Sequence, residues 1–373
     1  MSYFNFVDGG ERSPGSFGYY AFEGVTGIVY GATIDPSLIT ISYQNNQYYF
    51  QMGTFYANAI NNGAYNLSWS PTLPSVLSSS TIYFGMRMYT GTEFIYSSYT
   101  TCYTTIYFCN ANGNPQVAIR FNSNGSLTAS SGGTISPYNG VGSSTLGVTS
   151  NYLINLQTVI YLEFYLVVSA SSGALTIKLN GNPTAILTLT GINTASDTTS
   201  LPITSFQFCN GGGALIRDMY VMDGTGAAPF NTFLGDVTAQ YQPPTANVSA
   251  QFTANGNASN YLNAAETPPI PGTDYNSSST VGNADTFSIT SLATDTSKAF
   301  AVKLFDYSYK SDTGSRSLAK TITSGSSTGT GAINYLNTTA TVTTDIFTVN
   351  PNGGGTWTTA AVNALTVGYR VNN

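Results

Sequence analysis

Val159-Ile-Tyr-Leu-Glu-Phe-Tyr-Leu-Val-Val168, Ala174-Leu-Thr-Ile-Lys-Leu179 and Ala185-Ile-Leu-Thr-Leu-Thr190 are separated only by Ser169-Ala-Ser-Ser-Gly173 and by a short stretch that opens with Asn180-Gly181. The runs are rich in β-branched, aromatic and leucine residues, and the second and third alternate apolar with polar positions, the period of a pleated strand. Asn-Gly is the dipeptide that most readily supplies the two positive φ angles of a tight hairpin turn. Three strands joined by two short turns predict an antiparallel meander. Connections of this length exclude a parallel α/β arrangement here, because each parallel pair needs a crossover of a dozen or more residues.

Working outward, the same grammar recurs on both sides. Gln47–Met52, Thr81–Tyr89, Thr104–Cys109, Gln116–Phe121, Ser126–Ala129, Ile203–Cys209 and Ala214–Met222 read as strands. Asn122-Ser-Asn-Gly125 reads as a hairpin turn and Asn210-Gly-Gly-Gly213 as the turn of a further strand pair. Past Tyr241-Gln-Pro-Pro-Thr245 the pattern repeats on a smaller scale in Phe287–Ile289, Ala299–Tyr307, Ser317–Ile322, Ala340–Val342, Asp345–Val349 and Leu365–Val371. Trp357–Leu365 is the one helical suggestion, a turn or two long. Consecutive prolines cannot continue a central strand, so the expected division is a jelly-roll β-sandwich over residues 1–240 and a smaller β-sandwich over 241–373, an all-β chain throughout.

Composition narrows the chemistry. The 373 residues include no histidine and three cysteines, Cys102, Cys109 and Cys209. Ser-His-Asp and Cys-His catalysis are thereby excluded, as is an imidazole-ligated metal, and the thiols are too few for a structural zinc site. An odd cysteine count argues against a disulfide framework, and buried thiols are expected, although Cys102 and Cys109 stand where facing strands of a hairpin would put them. Only 8% of residues are charged, 17 acidic against 11 basic. Scattered basic residues and a net charge of −6 offer nucleic acid no electrostatic footprint. No apolar stretch is long enough to span a bilayer as a helix. Met1–Asp8 lacks the basic and apolar regions of a secretory leader. The expectation is therefore a protein made in the cytosol, with neither nucleic acid nor membrane as partner.

Taken together, Leu162-Glu-Phe-Tyr165, the small polar turn after it, Ala174-Leu-Thr-Ile-Lys-Leu-Asn-Gly-Asn-Pro183 and Leu187-Thr-Leu-Thr-Gly191 resemble the central strands of laminin-G-like, concanavalin A-like domains in bacteriophage virion proteins. Phe6-Val-Asp-Gly-Gly10 is similar to the opening of those proteins, Ile216–Gly226 to their closing strand and Asn231–Val237 to their short tail motif. The similarity continues through Glu266–Ser277, Val281–Phe287 and Val362–Leu365. Two positions depart from the family pattern: Gly10 stands where Phe is usual, and Arg217-Asp218 where Asp-Asp is usual. The resemblance implies a non-enzymatic structural component of the virion, as head exterior decoration, collar or tail fibre, with other virion proteins and copies of itself as partners. The alternative it implies is a carbohydrate-binding module for host attachment, with surface glycans as partners.

Candidate sites follow. Lectin-like sandwiches of this kind often hold calcium near a sheet edge, which points to Asp218 and Asp223, with Asp236 further on; Arg217 in place of an acid invites an Arg–Asp ion pair instead, and no cofactor is expected. Glycoside hydrolysis needs two carboxylates flanking a cleft. Glu163 is the one acid on a strand face, it has no partner at i+2 or i+4, and it is expected to face outward. Aromatic contacts are the better lead. Tyr19, Tyr20, Tyr48, Tyr49, Phe94, Tyr96, Tyr99, Tyr103 and Tyr107 can pack one ring face while the tyrosine hydroxyls stay wet. Tyr96, Tyr99 and Tyr103, spaced by Ser and Thr, are the expected carbohydrate- or partner-binding residues.

Overall fold

A computed structural model describes residues 4–8, 39–44, 47–52, 68–69, 80–90, 104–133, 144–155, 158–209, 215–224, 226–266, 272–292 and 298–373. Strands are numbered in chain order. Phe4–Asp8 (β1), Ile39–Gln44 (β2), Gln47–Met52 (β3), Ser68–Trp69 (β4), Thr81–Tyr89 (β5), Thr105–Asn110 (β6), Pro115–Phe121 (β7), Leu127–Ser131 (β8) and Ser144–Val148 (β9) come first. Val159–Val167 (β10), Gly173–Leu179 (β11), Leu187–Ile192 (β12), Ile203–Cys209 (β13) and Leu215–Met222 (β14) follow. An eight-stranded sheet runs β12-β11-β10-β5-β14-β3-β2, with β1 also on β14, and a six-stranded sheet runs β4-β13-β6-β7-β8-β9. Every pairing among the described residues is antiparallel, and the two sheets form a jelly-roll sandwich.

The pleat explains the core. Ile82, Phe84, Met86 and Met88 of β5 and Ile160, Leu162, Phe164 and Leu166 of β10 point to one side, where they meet Ile106, Phe108, Val117 and Ile119 of the other sheet. Phe84 lies 5.8 Å from Phe108, 5.8 Å from Phe164 and 4.8 Å from Phe206, ring centre to ring centre, so four aromatic rings form the middle of the core. Both faces of β6 and β8 are buried, including Tyr107 and Cys109 on the side away from that core.

The meander read from the sequence is β10, β11 and β12, and Asn180 and Gly181 carry φ of 53° and 65°, both left-handed as the turn demands. Two local readings change. In Asn122–Gly125 only Gly125 (φ 73°) is left-handed. Its N–H bonds Asn122 O while Asn122 N–H bonds Ser126 O, which closes a three-residue loop, whereas Asn180-Gly181 only begins a longer connection across which Ile177 pairs with Leu187. The expected pair Ile203–Cys209 and Ala214–Met222 is not a hairpin: β13 joins β4 and β6 in one sheet, β14 joins β1, β3 and β5 in the other. Sequence neighbours that switch sheets are what a jelly roll requires, and short-range pattern does not carry that information.

Pro244–Ala250 (β15), Thr253–Asn255 (β16), Tyr275–Ser277 (β17), Ala284–Ile289 (β18), Val302–Ser308 (β19), Ser317–Ser324 (β20), Ser327–Tyr335 (β21), Thr341–Phe347 (β22) and Thr366–Val371 (β23) complete the chain. β15-β18-β23-β20-β21 form a five-stranded sheet, β19 pairs with β22, and β16 with β17. β15 starts at Pro244 on a sheet edge, where a missing N–H costs no ladder bond. Trp357, Ile322, Val362 and Leu365 fill the space between the five-stranded sheet and the β19–β22 ribbon, with Val302, Leu304 and Phe347 packed against them. Trp357 donates its indole N–H to Phe347 O at 2.8 Å. The expected helical turn is Thr359–Asn363, capped by the Thr358 side chain, which accepts from Ala361 N. Ala340–Val342 and Asp345–Val349 were expected as separate strands and are one strand, β22.

Candidate functional site

On the outer face of the eight-stranded sheet, the side away from the core, the chain returns as residues 226–240 and lies across β5, β10, β11 and β14. The strand pattern sets up this face. Tyr161, Glu163 and Tyr165 alternate with the core residues of β10, and Tyr83, Gly85 and Arg87 alternate with those of β5.

A β-bulge in β14 supplies the rest. Arg217 is level with Arg87 and Tyr220 with Gly85, so Asp218 and Met219 together stand opposite Met86. Asp218 is left-handed at φ 52°, which aspartate tolerates better than most residues. The extra residue shifts the phase of the strand. Met219 enters the core, while Asp218 and Tyr220 both project onto the outer face.

There Arg87 organises a network. Its Nε lies 2.6 Å from Asp218 Oδ2, and its Nη2 reaches Asp236 Oδ1 at 2.6 Å, Val237 O at 3.0 Å and Thr238 Oγ1 at 3.0 Å. The guanidinium also sits 5.3 Å over the Tyr161 ring, a favourable placement for a cation. Burial disfavours the charged guanidinium, but hydrogen bonds and charges from Asp218 and Asp236 outweigh it and raise the Arg87 pKa above its ordinary value. Asp218 Oδ1 accepts from Ala239 N at 3.1 Å.

Glu163 is only 1% exposed. It does face outward from the sheet, but the returning segment covers it. Tyr220 donates its hydroxyl to Glu163 Oε1 at 2.6 Å, and Gly235 N–H bonds the same oxygen at 2.8 Å. Gly85 permits this geometry: a Cβ there would stand 2.1 Å from Tyr220 Cε1, so the bare strand lets the ring lie across it toward Glu163. Burial first, and the Glu163 carboxylate second, push the Tyr220 phenol well above its ordinary pKa, and Tyr161 is shifted likewise. Phe233 completes the cover, edge-on to Tyr83 at 5.4 Å and 4.5 Å beneath the Lys178 ammonium.

The ion pair expected of Arg217 rests on a side chain outside the described residues; the cation on Asp218 is Arg87. Asp223, just beyond β14, is buried, and Asp236 is drawn to Arg87. No group of three or more His, Cys, Asp or Glu able to hold a metal occurs among the described residues. Tyr96, Tyr99 and Tyr103 lie outside the described residues, as do Tyr19, Tyr20, Phe94 and Cys102. Arg87 was missed by sequence reading. Its signal was a lone charge in the polar phase of the long strand Thr81–Tyr89, opposite a strand carrying the lone Glu163.

A second polar cluster, also missed, lies where the β6–β7 turn meets the loop after β12. Asp197 Oδ2 accepts from Asn110, Asn112 and Asn114 side-chain amides at 2.9, 3.2 and 3.0 Å, and Oδ1 accepts from Thr199 N at 2.9 Å. Hydrogen bonds from Thr199, Asn114 and Asn110 hold the Asp197 carboxyl far below the usual carboxylate range. Asn112, Asn114 and Thr199 are exposed.

No protein-family model matches the chain, and no curated protein matches it. Among solved structures it is similar to alginate lyase vAL-1 from Chlorella virus (11% identity, TM-score 0.32, covering 49% of this chain and 88% of that one). A tetrameric galectin from the ball sponge Cinachyrella sp. is similar at 13% identity and TM-score 0.27, covering 42% of this chain and 99% of that one. The catalytic domain of the glycoside hydrolase family 131 protein from Coprinopsis cinerea is similar at 11% identity and TM-score 0.29, covering 45% and 65%.

Proposed function

We propose that this chain is a non-enzymatic structural component of a bacteriophage virion, as head exterior decoration, collar or tail fibre. In this reading it acts without a cofactor, through contacts with other virion proteins and with copies of itself, and its working units are residues 1–240 and 241–373. The observation that carries the non-catalytic part is the use made of Arg87, Glu163, Asp218 and Asp236. Their charges fasten residues 234–239 onto the sheet, so groups that resemble an acid–base constellation serve packing. The virion assignment draws on the sequence resemblance, and the sparse charge accords with wide polar contacts that desolvate few ions. Quantitative mass spectrometry of purified particles of the encoding virus tests it. A fixed copy number is expected, and absence from the particle refutes the reading.

The carbohydrate-binding alternative is favoured by the Asp197 cluster, where a part-exposed carboxylate stands among the exposed Asn112, Asn114 and Thr199. A glycan array is its test. A ligand whose capture is lost in Asp197→Ala supports it, and an array without a binder removes it.

A further inference from the structure

Inside the smaller sandwich, a lysine and two aspartates meet at apolar positions. Lys320 lies between Leu318 and Ile322 in the phase of β20 that faces the β19–β22 ribbon, and it is 3% exposed. Its Nζ is 2.6 Å from Asp306 Oδ1 and 3.3 Å from Asp345 Oδ2, carboxylates with side chains 14% and 11% exposed. In the ribbon Asp306 pairs with Thr343 and Leu304 with Asp345, so both acids sit on its inner face beside residues of the Trp357 core. The Thr343 hydroxyl bridges Asp306 and Lys320.

Asp345 is held from behind. β21 bulges opposite Lys320, where Ala319 pairs with Ile333 and Thr321 with Thr330. The Ala332 N–H freed by that bulge bonds Asp345 Oδ1 at 2.9 Å. Gly331 leaves the room: a Cβ there would stand 2.5 Å from Asp345 Cγ. Asp345 Oδ2 is buried without a hydrogen bond of its own. Two carboxylates share one ammonium in a site nearly closed to water, a costly arrangement for a plain ion pair.

We propose that this triad forms an intramolecular amide, Lys320 Nζ to Asp306 Cγ, with Asp345 as proton carrier. In the step, the Lys320 ammonium passes a proton to the Asp306 carboxylate, leaving an amine beside a carboxylic acid. The amine lone pair attacks Cγ and the N–C bond forms. The Asp345 carboxylate takes a proton from nitrogen and delivers it to the departing hydroxyl, the C–O bond breaks and water leaves. Asp345 ends as it began, and no oxidant, reductant or cofactor is consumed. Fixing the reactants on facing sheets supplies the high effective concentration that amide formation needs, and exclusion of water protects the product.

Mass spectrometry of the purified, denatured full chain tests this. The wild type is expected to be one water lighter than its sequence. Trypsin should fail after Lys320 and release a branched product joining residues 304–310 to 317–370. Asp345→Asn, shown folded by circular dichroism, should keep its full sequence mass and yield 317–320 as a separate peptide. A wild-type chain at full mass overturns the proposal, as does water loss with normal cleavage after Lys320, for example by cyclisation at Asp223-Gly224. A bond closed as a loop within 317–370 overturns the choice of Asp306, and an unimpaired bond in Asp345→Asn overturns the role of Asp345.

Discussion

The bulges at residues 218–219 and 331–332 solve the same problem of placing a charge against a pleated sheet, and they solve it in opposite places. At Asp218 the extra residue shifts the strand phase so that a carboxylate leaves the core and meets Arg87 under a covering segment. At Ala332 the extra residue frees a backbone N–H, which holds Asp345 in the core against Lys320. Each site also depends on a strand glycine, Gly85 for the Tyr220 ring and Gly331 for the Asp345 carboxylate. In the outer network Arg87 has two carboxylates, a carbonyl and a hydroxyl, and both oxygens of Asp218 are bonded, but Glu163 Oε2, like Asp345 Oδ2, is buried without a hydrogen bond. Both sites set one cation against two acids, and they differ in access to water: the Asp236 side chain is 40% exposed, whereas Lys320, Asp306 and Asp345 are nearly closed to it.

Substitutions can break this contrast, beginning with the largest effect. Lys320→Met leaves two acids facing each other and is expected to cost about 4 kcal/mol, measured by denaturant unfolding. Arg87→Ala strands Asp218, whose side chain is fully buried, and is expected to cost about 3 kcal/mol, with faster proteolysis within 226–240. Gly85→Ala drives a methyl group into the Tyr220 ring. It should cost about 2 kcal/mol, and Tyr220→Phe about 1.5 kcal/mol through loss of the bond to Glu163. If Gly85→Ala is harmless, the ring does not need the bare strand.

Titration gives a gentler test. Tyr161 and Tyr220 have raised pKa values in the folded chain, so their contribution is complete below the unfolded tyrosine value near 10 and is lost as pH climbs through the folded values. The melting temperature should fall above about pH 10, and less so in Tyr220→Phe. Asp197 has the opposite sign. Its pKa is lowered, so its contribution is present above the unfolded value near 3.9 and fades as pH falls below it. Asp197→Ala should flatten the acid limb of the curve slightly.

Most of the fold was legible because apolar alternation marks each strand on its own. Thr81–Tyr89 and Val159–Val168 announce both their extent and their core face. Pairing across sheets was not legible. Ile203–Cys209 and Ala214–Met222 look like a hairpin, and only the closing of two sheets over Phe84, Phe108, Phe164 and Phe206 decides that they separate. β21 was missed because Ser327–Gly331 has almost no apolar residue to mark it. Of the outer site, Glu163 and Asp218 were noticed singly. Their roles depend on a phase shift at one residue and on a segment returning from residues 226–240, neither of which local pattern encodes. The inner site did leave a trace, since Lys320 stands between Leu318 and Ile322, and Asp306 follows Val302 and Leu304, at positions where the alternation calls for an apolar residue.

The order in which the chain is synthesised gives β14 and β23 a further significance. β14 is the shared neighbour of β1, β3 and β5, and β23 lies between β18 and β20. Each of these sheets therefore receives a central strand from residues translated well after the strands it joins. A nascent chain ending before residue 215 exposes the unpaired edge of β5, and one ending before residue 366 leaves β18 and β20 apart. Closure of both sheets is thus gated by late arrivals, with long-range pairing that favours slow folding, and the partly made chain is the form most in need of protection from aggregation.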